Sequence, residues 1–294
     1  MSGMTETWTI GRLIPWAAEH LQKYGVSAPR LSGELMLTQV LGCTRVDLYL
    51  RHEQPLNAEE LARFKALILR RRAGEPLAYI LGRREFYGLD FSVGPGVLVP
   101  RPETEHLVEE ALKRLAHQES PRLLDLCTGS GAVALACLAG HPTLKAVGVD
   151  ISPQALDFAR QNAARLGLAE RVEWLLGDLW EPLAAAGGFF EAITANPPYV
   201  REDEWPGLSP EVRDFEPRQA LVSGPEGLDL MGQILQGARA FLRPQGWLLV
   251  EMGAGQAAQV SSLARGVGIF EQVALVKDLA GIERVLVCRR GDYG

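Results

Sequence analysis

At 294 residues the chain exceeds the size of one ordinary domain, so a large α/β domain with a smaller companion is the expected organisation. Its 47% hydrophobic and 22% charged residues place it among soluble globular proteins and exclude disordered or collagen-like classes. The net charge of −6 argues against a protein that coats a polyanion, because that binding relies on Lys and Arg displacing counterions.

Cys43, Cys127, Cys137 and Cys288 are scattered without a CxxC pair, which gives neither a zinc spacing nor a disulfide framework; reduced, mostly buried thiols and no metal site are expected. The first ten residues lack the basic-then-apolar run of a signal peptide. No stretch reaches the roughly 18 apolar residues of a membrane helix, so a cytoplasmic protein is expected.

Along residues 9–79 the apolar side chains recur at helical spacing, as in Leu31, Leu35, Val40 and Leu41, then Leu61, Phe64, Leu67 and Ile68. This predicts a small helical bundle, broken at Ser27-Ala28-Pro29 and at Gln54-Pro55-Leu56-Asn57, with Asn57 capping the helix that follows. Short aromatic and β-branched runs then appear: Phe86-Tyr87, Phe91-Ser92-Val93 and Val97-Leu98-Val99, divided by Gly88, Gly94, Pro95 and Gly96. They read as a β-hairpin linker. The resulting division is a helical domain at 1–81, the linker at 82–101 and an α/β domain at 102–294.

In that last part, strands at 123–127, 146–150, 172–176 and 191–195 alternate with helices starting at Gly131 and Pro153. A long helix at 228–242, a strand at 247–251, a helix after Gln256 and final strands at 270–276 and 283–288 follow. Such alternation predicts a mostly parallel sheet covered by helices on both faces.

The run Leu123-Leu124-Asp125-Leu126-Cys127-Thr128-Gly129-Ser130-Gly131 is a buried strand entering a glycine turn, where a ligand can approach the backbone closely. About 20 residues on, Asp150 ends the next strand, placed to accept hydrogen bonds from both hydroxyls of an adenosine ribose. Together these describe a nucleoside crevice. They leave the cofactor open, because Gly129-x-Gly131-x-x-Ala134 also satisfies the dinucleotide fingerprint of NAD enzymes. Asp178 follows the third strand, where a carboxylate can accept the adenine amino hydrogens while Leu179 or Trp180 packs on the ring.

Asn196-Pro197-Pro198-Tyr199 follows the fourth strand, at the carboxyl edge where open α/β sheets bind ligands. Neither proline has an N–H, so the carbonyls of Asn196 and Pro197 are left to face a ligand while the rings stiffen the backbone. Outward acceptors suit an NH₂ group. An amide nitrogen is a weak nucleophile, and two acceptors on its hydrogens would steer its lone pair toward an electrophilic methyl. Tyr199 can pack on the planar substrate group.

The glycine turn, Asp150 and the Asn-Pro-Pro-Tyr segment together resemble class I S-adenosylmethionine methyltransferases acting on amino or amide nitrogens. More closely, the segments Arg71-Arg72-Ala73-Gly74-Glu75-Pro76-Leu77, Val99-Pro100-Arg101-Pro102-Glu103-Thr104-Glu105, Phe215-Glu216-Pro217-Arg218-Gln219-Ala220-Leu221 and Asp278-Leu279-Ala280-Gly281-Ile282-Glu283-Arg284 are similar to the HemK/PrmC family of release-factor glutamine methyltransferases. The resemblance spans nearly the whole chain. It implies a Rossmann-like, seven-stranded catalytic domain whose last strand is antiparallel, and a helical N-terminal domain that binds the release factor.

It further implies S-adenosylmethionine as methyl donor, S-adenosylhomocysteine as product, and the Gly-Gly-Gln glutamine of class 1 peptide chain release factors as acceptor. Carried over by residue, Cys127, Thr128, Gly129, Ser130, Gly131 and Asp150 would bind cofactor, Asp178 and Leu179 would flank the adenine, and Asn196, Pro197, Pro198 and Tyr199 would hold the glutamine, with Asn196 also touching the cofactor. Asn196, Pro197 and Tyr199 are then the expected catalytic set. Cys127 stands where the family commonly has glycine, which fits if its φ is negative, and Leu179 replaces a commonly aromatic residue.

The nearest rival is an adenine-N6 nucleic-acid methyltransferase, which uses the same tetrapeptide on an exocyclic amine. The acidic balance and the lack of a target-recognition insert weigh against it, so no direct DNA contact is expected. Arg70, Arg71, Arg72, Arg83 and Arg84 form a dense basic cluster, read as a solvated helix end able to meet a release factor. A NAD-dependent dehydrogenase would leave Asn196 to Tyr199 without a role, and a non-catalytic binding module would not need Asp150 and Asn196. A monomer with no membrane contact is expected.

Overall fold

The computed structural model describes residues 7–183 and 188–292. The chain divides into two compact units, one made of the chain up to Arg83 plus Ser209–Phe215, the other of Arg84–Leu208 and the chain from Glu216 onward.

The first unit is helical: α1 (Ile10–Lys23), α2 (Pro29–Leu41), α3 (Arg45–Leu50), α4 (Ala58–Arg72) and α5 (Leu77–Leu81). Leu21, Met36, Leu37, Phe64 and Ile68 fill its core. The expected cap is present: Asn57 Oδ1 accepts the Glu60 N–H at 2.9 Å, and Glu60 Oε2 accepts the Asn57 N–H at 2.8 Å. Two orphan donors of α4 are thereby satisfied, worth ~1 kcal/mol.

Of the basic cluster, Arg70, Arg72 and Arg83 are exposed as the sequence leads one to expect, and Arg71 is the exception. Arg71 is buried, donating to the Glu75 carbonyl at 2.8 Å and to Glu211 Oε2 at 2.9 Å, on the short helix α9 (Pro210–Arg213). Arg70 pairs with Glu75, and the Arg72 guanidinium lies 4.7 Å over the Tyr24 ring. A partner 140 residues away cannot be read from a local charge run.

The second unit opens with a hairpin of β1 (Arg83–Phe86) and β2 (Leu89–Ser92), turning through Tyr87 and Gly88, both with positive φ as a two-residue hairpin turn requires. The Val97-Leu98-Val99 run forms no strand. Pro95 and Pro100 bracket it, and the Val99 N–H goes to Glu216 Oε2 at 3.2 Å instead of to a neighbouring strand.

After α6 (Glu105–Leu115) come β3 (Arg122–Leu126), α7 (Ala132–Gly140), β4 (Lys145–Asp150), α8 (Pro153–Arg165), β5 (Val172–Leu176) and β6 (Phe190–Ala195). Then follow α10 (Asp229–Phe241), β7 (Leu242–Glu251), α11 (Ala257–Val267), β8 (Phe270–Lys277) and β9 (Glu283–Arg290). The sheet has seven strands in the order β5-β4-β3-β6-β7-β9-β8. β9 runs antiparallel to both β7 and β8, which bears out the reversed last strand.

Leu123 and Leu124, adjacent on β3, are both fully buried, as a central strand covered on both faces demands. From β3 the chain winds outward first through β4 and β5, then returns to the other side as β6 and β7. The reversal of order between β3 and β6 is a topological switch point. The parallel strands β3, β4, β5, β6 and β7 end at one edge, which fixes where a ligand can bind.

Candidate active site

Hydrogen bonds hold the turn after β3. Thr128 Oγ1 donates to Asp125 Oδ2 at 2.5 Å, the Thr128 N–H donates to the Val149 carbonyl at 3.0 Å, and Asn162 Nδ2 donates to the Ser130 carbonyl at 3.0 Å. Asp125 is fully enclosed; burial pushes its carboxyl up to about 6, while hydrogen bonds from Thr128 and Thr194 draw it down. Gly131 has φ +77, and a Cβ there would lie 2.8 Å from the Trp174 ring, so both its conformation and its packing exclude a side chain.

Cys127 departs from expectation. Its φ is +55, so the residue adopts the left-handed conformation that glycine accepts freely. The turn between β3 and α7 needs that bend, and Cys127 accepts it at a cost of roughly 1–2 kcal/mol. Burial drives its thiol pKa well upward, which keeps it neutral.

Asp150 closes the turn from β4. Its Oδ2 accepts the Gly129 N–H at 2.8 Å and its Oδ1 the Ser152 N–H at 2.9 Å. Burial raises the carboxyl above its ordinary value, and these backbone donors pull it back. The carboxylate retains capacity to accept from a ligand. After β5, Leu179 reaches the same space with φ +42. Trp180 is turned elsewhere, stacked on Phe241 at 5.3 Å with its Nε1 donating to the Gln233 carbonyl.

At the end of β6, Asn196 Nδ2 donates to Thr104 Oγ1 at 3.1 Å. In this orientation one N–H of the amide is taken by Thr104, and Oδ1 is left as an acceptor. The following loop is pinned from both sides. The Tyr199 N–H donates to the Leu221 carbonyl at 3.1 Å, and the Tyr199 carbonyl accepts Gln256 Nε2 at 3.0 Å. Gly227, with φ +70, lets this loop approach, since a Cβ would stand 2.2 Å from the Tyr199 oxygen. Burial, reinforced by Glu251, pushes the Tyr199 phenol up to about 12, so it holds its proton near neutrality.

These elements enclose a cavity of about 300 Å³. Cys127, Thr128, Gly129, Ser130 and Asp150 line one part; Asp178, Leu179, Asn196 and Pro198 line another. Three expected residues are not on the wall: Gly131, which packs toward Trp174, and Pro197 and Tyr199. The wall also contains Val97, Leu98, Thr104, Gln219, Val222 and Leu230, which motif reasoning had not placed in a site. Thr104 and Gln219 lie in segments that carried the family resemblance, which was the available signal. Among the described residues no group of three or more His, Cys, Asp or Glu could hold a metal ion, and no helix is long and apolar enough to cross a membrane.

A seven-stranded sheet with one reversed strand, a glycine turn after its central strand and an acidic residue ending the next define a class I methyltransferase domain. Comparison with known proteins agrees. A methyltransferase domain model matches residues 123–215, and a PrmC N-terminal domain model matches residues 12–82. The solved structure of a methyltransferase from Pyrococcus furiosus shares the fold at a TM-score of 0.51 and 19% identity, covering 77% of this chain and 98% of that one. The release factor glutamine methyltransferase of Geobacter sulfurreducens is 43% identical over 99% of this chain and 100% of its own length. That of Rhodopirellula baltica is 40% identical over 95% of each. The chain therefore belongs to the release factor glutamine methyltransferase family.

Proposed function

We propose that the protein transfers a methyl group from S-adenosylmethionine to the side-chain amide nitrogen of the Gly-Gly-Gln glutamine in class 1 peptide chain release factors, in the cytoplasm, leaving S-adenosylhomocysteine. The residues at the switch point fit the adenosyl part of this donor. The remaining acceptor capacity of the Asp150 carboxylate suits the ribose hydroxyls, Asp178 offers a carboxylate to the adenine amino group, and Leu179 supplies an apolar wall where Trp180 is already occupied. When bound, the donor supplies an electrophilic sulfonium methyl.

The chain's own contribution is orientation. Asn196 Oδ1, on the cavity wall, accepts one N–H of the substrate carboxamide, which turns the nitrogen lone pair out of conjugation and toward the methyl carbon. As the N–C bond forms, the S–C bonding pair passes to sulfur. The nitrogen gains positive charge facing this oxygen dipole, then releases its surplus proton to water. Such a proton is acidic enough to leave without a strong base, in keeping with a Tyr199 phenol that stays protonated.

The observation that carries this reading is the bond from Asn196 Nδ2 to Thr104, which supports Oδ1 as the acceptor that Asn196 offers at the cavity wall. The test is mass spectrometry of a release factor incubated with the enzyme and S-adenosylmethionine, beside duplex DNA under the same conditions. One added methyl on the glutamine is expected. Preferential methylation of adenine would reject the reading in favour of a nucleic-acid enzyme.

A further inference from the structure

Glu251 is the last residue of β7, and neither the cofactor turn nor the acceptor loop makes use of it. Its side chain is 2% exposed, and its Oε2 has no hydrogen-bond partner among the described residues. A buried carboxyl without an ion pair is costly, so its position calls for a reason. The sheet register supplies one: Ala195 of β6 stands opposite Val250 of β7, so Asn196 and Glu251 leave the sheet side by side at its carboxyl edge. Thr104, 3% exposed, accepts from Asn196 Nδ2 at 3.1 Å, and its hydroxyl is close enough to the Glu251 carboxyl to draw that group's pKa down.

We propose that Glu251 is a positioning residue which, through the Thr104 hydroxyl, sets which end of the Asn196 amide faces the substrate. The proposal rests on the reading that Asn196 Oδ1 holds the substrate carboxamide. An ionised carboxylate can only accept, so the Thr104 proton must point to it. The Thr104 lone pairs then face Asn196, whose NH₂ must donate, and Oδ1 is turned outward. A group at position 251 that can donate removes this constraint. Thr104 can then accept from 251 and donate to Asn196 Oδ1, presenting an NH₂ to a substrate NH₂.

The charged neighbours do not replace this role. Arg101 is bound to Glu216 and Arg284 to Asp278, while Glu103 and Tyr199 are the other titratable groups that face Glu251. Burial pushes the Glu251 carboxyl up to about 7, with Thr104 and Arg284 holding it from going higher. Protonation of Glu251 and loss of the correct Asn196 orientation should therefore coincide near neutrality.

The test compares Glu251→Gln, Thr104→Val, Thr104→Ser and Asn196→Ala in steady-state methylation of a release factor between about pH 6 and about pH 9. Binding of S-adenosylhomocysteine by calorimetry checks that each variant is folded. Glu251→Gln and Thr104→Val should lose at least ~10-fold in kcat with cofactor affinity unchanged, and Thr104→Ser should stay within about twofold of wild type. The fall in wild-type kcat on the acid side of about pH 7 should vanish in Glu251→Gln. An impaired Asn196→Ala beside a Glu251→Gln with wild-type kcat and an intact acid limb overturns the proposal alone. Normal turnover in Asn196→Ala overturns the reading beneath it as well.

Discussion

Replacing Asp150 by Asn keeps the shape of the side chain and separates two roles of the carboxylate. Both oxygens accept backbone hydrogens, from Gly129 at 2.8 Å and from Ser152 at 2.9 Å. An Asn has one oxygen, so whichever way it turns, its NH₂ opposes one of those N–H groups. That leaves a donor unsatisfied in a closed space and should lower folding stability by about 1–3 kcal/mol. Separately, one ribose hydroxyl loses a charged acceptor, worth roughly 1.5–3 kcal/mol, or about 10- to 150-fold in affinity. Urea denaturation without ligand reads the first effect, and calorimetric titration with S-adenosylhomocysteine reads the second. An Asp150→Asn protein that melts like wild type and binds within about twofold of it would refute the assigned geometry.

Further consequences can be checked in the same assays. Cys127→Gly removes a left-handed non-glycine residue and should raise stability by about 1 kcal/mol in urea melts, without changing cofactor specificity. Gly227→Ala would drive a Cβ against the Tyr199 carbonyl; moving that loop by even a fraction of an ångström should lower kcat by roughly 100-fold while cofactor affinity holds. Asn196→Ala should weaken transition-state stabilisation by about 3 kcal/mol, read as kcat/KM, with cofactor binding nearly unaltered. For Glu251, a folded pKa of about 7 stands above the ordinary 4.5, so its contribution to stability is complete below about pH 4.5 and lost as pH rises through about 7. Glu251→Gln should therefore outlast wild type in urea at about pH 8 by up to about 3 kcal/mol, a margin that shrinks toward zero near pH 5.

Local chemistry made much of the fold legible. Pro153 opens α8 where expected, β5 has the predicted bounds, and the Asn57 cap forms as its neighbours in sequence dictate. Asp150 ends β4 as the strand spacing predicts, and its bond to the Gly129 N–H is an addition from the structure. What stayed hidden depends on partners far along the chain. Thr104 meets Asn196 across 92 residues, and Glu251 comes beside them through the β6–β7 register, which no local pattern encodes. The φ of Cys127 was misjudged because side-chain identity argued for a negative value, whereas the bend leaving β3 imposed the opposite sign.

The pairing of Arg71 with Glu211 also bears on synthesis. The helical unit recruits Ser209–Phe215, so when its first 83 residues leave the ribosome the buried guanidinium still lacks its carboxylate. Completion of that unit waits for well over a hundred further residues, which at a few to twenty residues per second is a delay on the order of ten seconds. The nascent helices spend that interval incompletely assembled, and maturation of the two units is tied to a single late-emerging stretch of chain.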